Sequence, residues 1–224
     1  MRSFFRQAGA VLRKDIVAEI RDLDHLLSVF LFGFLIILLF SFALSVEPEL
    51  VRKMAAGLFW LAILFSSVLN LQHSFQRETE NGQWEGLILL GISPQALYLG
   101  KMFANLALII LLQAVLLPIM TILFDLNLSA SLLSVLLLGS FGIASLGTCY
   151  SGMTATLRGG QVLLPLLLFP MLVPLLLASV TVTRLLLAHD LFGQEVVWLK
   201  LLILFDTIFF LGSLLLCEIL FDPL

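Results

Sequence analysis

Residues 26–46 read LLSVFLFGFLIILLFSFALSV, 21 residues without one charged side chain. A helix needs about 20 apolar residues to cross the hydrocarbon core of a bilayer. Only a helix or a closed barrel can do so, because backbone N–H and C=O groups find no water there. The run is therefore read as a membrane span. It is also too long for the apolar core of a secretory leader, about 7–15 residues. The 25 residues before it are too long and too mixed in charge for a leader start. Ala43-Leu44-Ser45 is only a weak cleavage-like match, so the run is expected to stay in the chain as an anchor.

Working outward, charge-free runs of suitable length recur at 54–71, 102–124, 126–157 and 159–183, and a sixth at about 197–220 contains Asp206. The fourth run exceeds one span, and residues 127–131 are expected to form a turn and an interfacial start. Glu47-Pro48-Glu49, Asp125-Leu126-Asn127 and Arg158-Gly159-Gly160 make short links. The composition agrees: 61% of residues are hydrophobic, 12% are charged and mean hydropathy is +1.13. Soluble domains carry about 25% charged residues. The expected fold class is an all-α integral membrane protein of about six transmembrane helices, forming one domain over residues 1–224. A net charge of −3 gives no electrostatic footprint for nucleic acid. Cys149 and Cys217 lie in apolar runs, and no Cys/His spacing of a metal site occurs, so they read as buried free thiols.

Two segments outside the spans are substantial, 1–25 and 73–100. With the amino terminus inside, both fall on the cytoplasmic side. Eight basic residues (Arg2, Arg6, Arg13, Lys14, Arg21, Arg77, Lys101, Arg158) then face the cytoplasm and four (Arg52, Lys53, Arg184, Lys200) face outward. That is the bias of the positive-inside rule, and it places both termini inside. In residues 1–25, Phe5, Ala8, Leu12, Ile16, Ile20 and Leu23 recur at steps of three and four, which puts them on one helical face. The segment reads as an amphipathic helix lying at the membrane surface.

The segment 74–101 reads SFQRETENGQWEGLILLGISPQALYLGK. Arg77, Glu78, Glu80 and Glu85 stand beside Phe75, Trp84 and Leu87. An acidic, aromatic-tipped stretch between two spans suits docking: apolar side chains enter a groove and carboxylates pair with a partner's cations. Gly82 and Gly86 remove bulk where a partner approaches. Ser93-Pro94 marks a turn before the third span.

This string resembles the coupling region of ABC-2-type transporter permeases, and most closely that of the cytochrome c maturation permease family CcmB, or heme exporter protein B. The residues that carry the resemblance are Phe75, Arg77, Glu78, Glu80, Gly82, Glu85, Gly86 and Leu87, then Pro94, Leu97, Gly100, Lys101 and Asn105. Lys14-Asp15, Leu38 to Leu44, Leu163-Leu164-Pro165, Pro174, Phe205-Asp206 and Glu218 extend it over nearly the whole chain. Gln83 and Trp84 depart from it, since these permeases usually carry a smaller residue after the glycine. The resemblance implies an ABC-2-like permease architecture with Phe75 to Leu87 as the ATPase-coupling residues, Trp84 included. It also implies a bacterial cytoplasmic membrane and two copies in a complex with a CcmA-like ATPase and CcmC-like and CcmD-like membrane proteins. A CcmE-like chaperone would receive heme, the cargo, for c-type cytochrome biogenesis. Two accounts of ATP hydrolysis stay open: heme export, or a non-transporting scaffold through which heme-loaded chaperone is released. ATP is expected on a separate subunit, since a phosphate-binding loop needs G-x-x-x-x-G-K-[ST] and here Gln95 and Met102 stand at required positions around Gly100-Lys101.

Within the spans the residues do not assemble the motifs of an intramembrane enzyme. Asp206 sits about eight residues, roughly 12 Å, into the last span. An ionisable group at that depth lines a wet interior or is held by a structural hydrogen bond or ion pair. Gln113 in the third span poses the same choice. His25 and His73 stand at cytoplasmic helix ends and His189 in an outer segment, where histidines are mostly solvated. Pro165, Pro170 and Pro174 favour kinks in the fifth span, after which residues 184–189 are open to a short outer or re-entrant helix. Gly139, Gly142, Ala144, Gly147, Thr148, Ser151 and Gly152 make a small-residue surface on the fourth, for close packing or for a second copy.

Overall fold

In the computed structural model, the residues described are 2–43, 48–80, 93–126, 131–155, 157, 159–188 and 194–220. Among them the chain forms seven helices and no strand: α1 (Arg2–Arg21), α2 (Leu23–Ala43), α3 (Pro48–Glu80), α4 (Pro94–Phe124), α5 (Ser131–Ala155), α6 (Gly160–Leu187) and α7 (Gln194–Leu220). The last six are long and apolar enough to cross a membrane. They fall on the six runs legible in the sequence; α3 and α4 extend theirs, whereas the fourth run, 126–157, is shortened to Ser131–Ala155 as α5. The chain is a multi-pass membrane protein. Alternation of the spans gathers the starts of α2, α4 and α6 and the ends of α3, α5 and α7 at one end of the bundle, beside α1. The 33 residues of α3 measure about 50 Å at 1.5 Å per residue. That exceeds a hydrocarbon core of about 30 Å. Residues 73–80 are therefore a continuation of the second span, projecting from the α1 end.

Burial separates central from peripheral helices. In the most apolar window of α3 and of α5, 72% of residues are buried, against 17% in α2 and in α7. The small residues of α5 explain its central place. A Cβ on Gly139 would collide with the Trp60 ring, on Gly142 with Leu175 and Asp206, and on Gly147 with Leu71. Lipid tails are as apolar as leucine, so helices associate in a membrane by close packing rather than by a hydrophobic drive. The small-residue surface therefore faces inward, toward α3, α6 and α7. Leu27, Leu35 and Leu39 of α2 and Leu204, Leu211 and Leu215 of α7 remain exposed, as a lipid-facing surface requires.

The prolines leave α6 helical from Gly160 to Leu187. No re-entrant segment begins at Arg184, because the helix continues one further turn past it; His189 lies outside the described residues. The backbone consequence of Pro165 is visible instead. Lacking an N–H, it frees the carbonyl of Gln161 four residues earlier, and Gln72 Nε2 of α3 donates to that oxygen at 2.8 Å. Three hydroxyls within the spans are satisfied locally: Ser140 donates to Leu136 O, Thr181 to Leu177 O and Thr207 to Ile203 O, each at 2.7 Å.

Candidate functional site at the α1 end

The expected coupling segment is flanked by the last turns of α3 and the start of α4. Phe75 is buried in the last turns of α3. Arg77, Glu78 and Glu80 follow on the same helix, with only their backbone described; Gly82, Trp84, Glu85, Gly86 and Leu87 lie outside the described residues. The helix α4 starts with Pro94 at its first position, where a missing N–H costs nothing, after Ser93 in extended conformation. Ser93 Oγ donates to Gln7 Oε1 of α1 at 3.4 Å, and Gln95 Nε2 donates to Glu218 Oε1 at the end of α7.

Two turns into α4 stands Lys101, fully buried. A buried ammonium is tolerable only when it is paired and its donors are used. Its Nζ lies 3.1 Å from Asp15 Oδ2 of α1 and donates to the Ser74 carbonyl of α3 at 3.0 Å. It also sits 4.5 Å from the centroid of the Phe75 ring, within cation–π range. One cation thus joins α1, α3 and α4 directly below the departing segment. Lys14 Nζ supports the same carboxylate from 3.2 Å. The neighbouring Gly100 lets α1 cross this close, for a Cβ there would lie 2.6 Å from Val11 Cβ and 2.8 Å from the Ala8 carbonyl oxygen.

This crossing changes how α1 is seen. The stripe against α4 is Gln7, Val11 and Asp15, with buried Glu19 one turn on, whereas Phe5, Ile20 and Leu23 of the predicted apolar face are exposed. At 100° per residue the two stripes lie about a quarter turn apart. The helix is amphipathic as expected, with a polar seam on the bundle and its apolar face turned elsewhere, as a helix lying flat on lipid requires.

Farther into the bundle a second polar layer continues the joint. Asn70 Nδ2 of α3 donates to Asn105 Oδ1 of α4 at 3.2 Å, and Asn105 Nδ2 donates to Thr148 Oγ1 of α5 at 2.9 Å. Tyr98 Oη reaches Ser145 Oγ at 3.0 Å, and Ser151 Oγ donates to the Leu71 carbonyl. Side-chain hydrogen bonds between spans are worth about 0.6 kcal/mol each on average, so the chain of them adds order as well as energy. Two clefts open at this end. One of about 280 Å³ is lined by Asp15, Glu19, Ser74 and Asn105. Another of about 350 Å³, between the ends of α3, α5 and α6, is lined by Gln72, Gln76, Thr154 and Gln161. These contacts tie the last turns of α3 and the first turns of α4, which flank residues 81–92, to α1 and α5.

The two intramembrane polar candidates stand apart from this joint. Asp206 of α7 is buried, with its carboxylate against Gly142 of α5. Neither oxygen has a hydrogen-bond partner among the described residues, nor does Gln113 Nε2, on α4. A structural ion pair for Asp206, one of the two expectations from sequence, is not found among them. Trp60, also isolated in sequence, is buried with its Nε1 donating to Thr183 Oγ1 of α6 at 2.9 Å. Lys101 is the residue that sequence reasoning undervalued. Its signal was a lysine two turns inside an otherwise charge-free helix, and counting it among surface cations hid it.

Comparison with known proteins places these features in a family. The family described as CcmB protein matches residues 6–216, which takes in all of α2 to α6 and most of α1 and α7. Heme exporter protein B of Haemophilus influenzae is 29% identical over 174 residues, 77% of this chain and 79% of the relative. The protein of the same name from Rhodobacter capsulatus is 29% identical over 177 residues, 78% and 81%. That of Pseudomonas aeruginosa is 32% identical over 149 residues, 64% and 65%. With its family match running from the first turns of the surface helix almost to the end of the sixth span, this chain belongs to the CcmB family.

Proposed function

We propose that this chain is the membrane-spanning permease subunit of an ABC-type complex. It would couple ATP hydrolysis on a separate CcmA-like ATPase to heme export and delivery to an extracytoplasmic chaperone in c-type cytochrome biogenesis. The observation that carries this reading is the family match over residues 6–216, with relatives named heme exporter protein B. The geometry supports it at the α1 end. An ATPase can transmit motion only through an element whose ends are stiffly held, and Lys101 with Asp15, Ser74 and Phe75 holds them. Glu78, Glu80 and Glu85 supply the docking charge, and Phe75 is the buried foot of the segment. CcmC-like and CcmD-like proteins complete the assembly, with two copies of this chain in a bacterial cytoplasmic membrane and both termini inside.

The test is co-purification. The chain is expressed with its genomic neighbours, solubilised gently and recovered, and the bound ATPase is measured. Wild type retains the ATPase, and the triple reversal E78K/E80K/E85K loses most of it. Unchanged recovery with all three charges reversed overturns the coupling assignment. In reconstituted vesicles, heme transfer across the bilayer marks export, whereas ATP-dependent release of loaded chaperone without transfer marks the scaffold account.

A further inference from the structure

The two histidines expected at separate helix ends are stacked on each other. His25, the third residue of α2, and His73, near the end of α3, have ring centroids 3.8 Å apart and an interplanar angle of 17°. Each faces a carboxylate. His25 Nε2 is 3.4 Å from Glu19 Oε1 of α1, and His73 Nε2 is 3.5 Å from Asp22 Oδ2 in the turn between α1 and α2. Glu19 is buried, 7% exposed, and the two imidazoles are half-buried. One ligand atom from each of Glu19, His25 and His73 lies within 4.8 Å of the others.

We propose that Glu19, His25 and His73 form a binding site for one divalent transition-metal ion of the zinc class, the fourth position being left to water. The proposal does not depend on the permease reading. Imidazole nitrogens and carboxylate oxygens are the donors that zinc accepts, at about 2.0–2.2 Å in a tetrahedron. Ligand atoms of such a tetrahedron stand about 3.3 Å apart at those bond lengths, so closing the site requires the two stacked rings to tilt until their in-plane lone pairs converge on the ion. The Glu19 carboxylate ligates the ion, and the Asp22 carboxylate, 3.5 Å from His73 Nε2, offsets the remaining charge from beside the site in this half-buried position. Asp22 is held in place, its Oδ1 accepting the His25 N–H at 3.3 Å as the cap of α2, and its other oxygen faces His73 as an outer carboxylate that orients a ligating imidazole. The cleft of about 280 Å³ that ends on Glu19 offers a way in. The stacked rings present their nitrogens side by side, unlike a pair of axial ligands gripping a heme iron from opposite faces, so the ion bound is a bare metal. Bound there, it would clamp α1 and the start of α2 to α3, immediately before the segment 81–92.

The test uses the full-length, untagged chain in detergent, stripped of metal by a chelator and titrated with Zn²⁺, and with Co²⁺ as a spectroscopic probe. One Zn²⁺ per chain is expected, with the visible absorption of tetrahedral Co²⁺. H25A and H73A each weaken binding by more than about tenfold, the loss that even outer partners of a metal site produce, E19Q weakens it too, and H189A leaves it unchanged. X-ray absorption on zinc-loaded wild type gives an answer independent of any variant's folding, and two imidazole ligands are expected. No saturable binding, binding retained in H25A/H73A, or a zinc spectrum without imidazole scattering overturns the site.

Discussion

Lys101 and Asp206 are both buried charges in spans, and they differ in their surroundings. Lys101 has a carboxylate, a carbonyl and an aromatic face, whereas Asp206 has a glycine and a leucine. The first is therefore a joint whose strength is measurable. Removing one partner of a buried pair leaves the other charge uncompensated and costs about 3 kcal/mol or more, while replacing both with apolar groups is close to neutral. Asp15→Ala is accordingly expected to lower the thermal midpoint of the detergent-solubilised chain sharply, and D15A/K101M to recover most of the loss. Equal destabilisation in the single and the double variant would show that the pair carries no energy. Both charges were visible in the sequence as interruptions of apolar runs. The partner of Lys101 was not, because 86 residues separate it from Asp15.

At the scale of an element, α6 shows how a membrane helix carries prolines without breaking. Each proline removes one backbone donor, and in lipid the freed carbonyl needs another. At Pro165 that donor is Gln72 on α3, 89 residues from the accepting Gln161. Gln72→Leu should cost about 1 kcal/mol, the net value of an ordinary hydrogen bond. Pro165→Ala in the same chain should restore it, since alanine returns an N–H to the Gln161 carbonyl. Thermal unfolding of the two variants checks this, and a double variant no better than the single would refute the pairing. The amphipathic α1 teaches a related lesson. Periodicity named its apolar face correctly as a face. Which face meets the bundle depended on Gly100 and Lys101 in α4, so the apolar stripe stayed free for lipid while Val11 and Asp15 took the seam.

For the whole molecule, six spans put both chain ends on one side, and in the orientation proposed above, with most basic residues inside, that side is the cytoplasm. Reporter fusions at residue 1 and after residue 224 should both be active only as cytoplasmic reporters, whereas a fusion in the link near residue 128 should be active only outside. Opposite signals at the two termini would remove a span from the bundle. The buried centre of α3 and α5 and the exposed leucines of α2 and α7 follow from the same arrangement.

The sequence by itself determined the number and place of the spans, because the bilayer sets a length of apolar helix that local composition either meets or fails. It also carried the family, through scattered residues such as Phe75, Pro94 and Asn105 whose types survive without any knowledge of contact. Tertiary structure alone decided which charges and rings meet. The burial of Lys101 on Asp15, the use of α5 glycines for internal packing, the capture of the Gln161 carbonyl and the stacking of His25 on His73 all join residues far apart in the chain. Such pairings depend on how helices cross and turn about their axes, and periodicity specifies a face without saying what will stand against it.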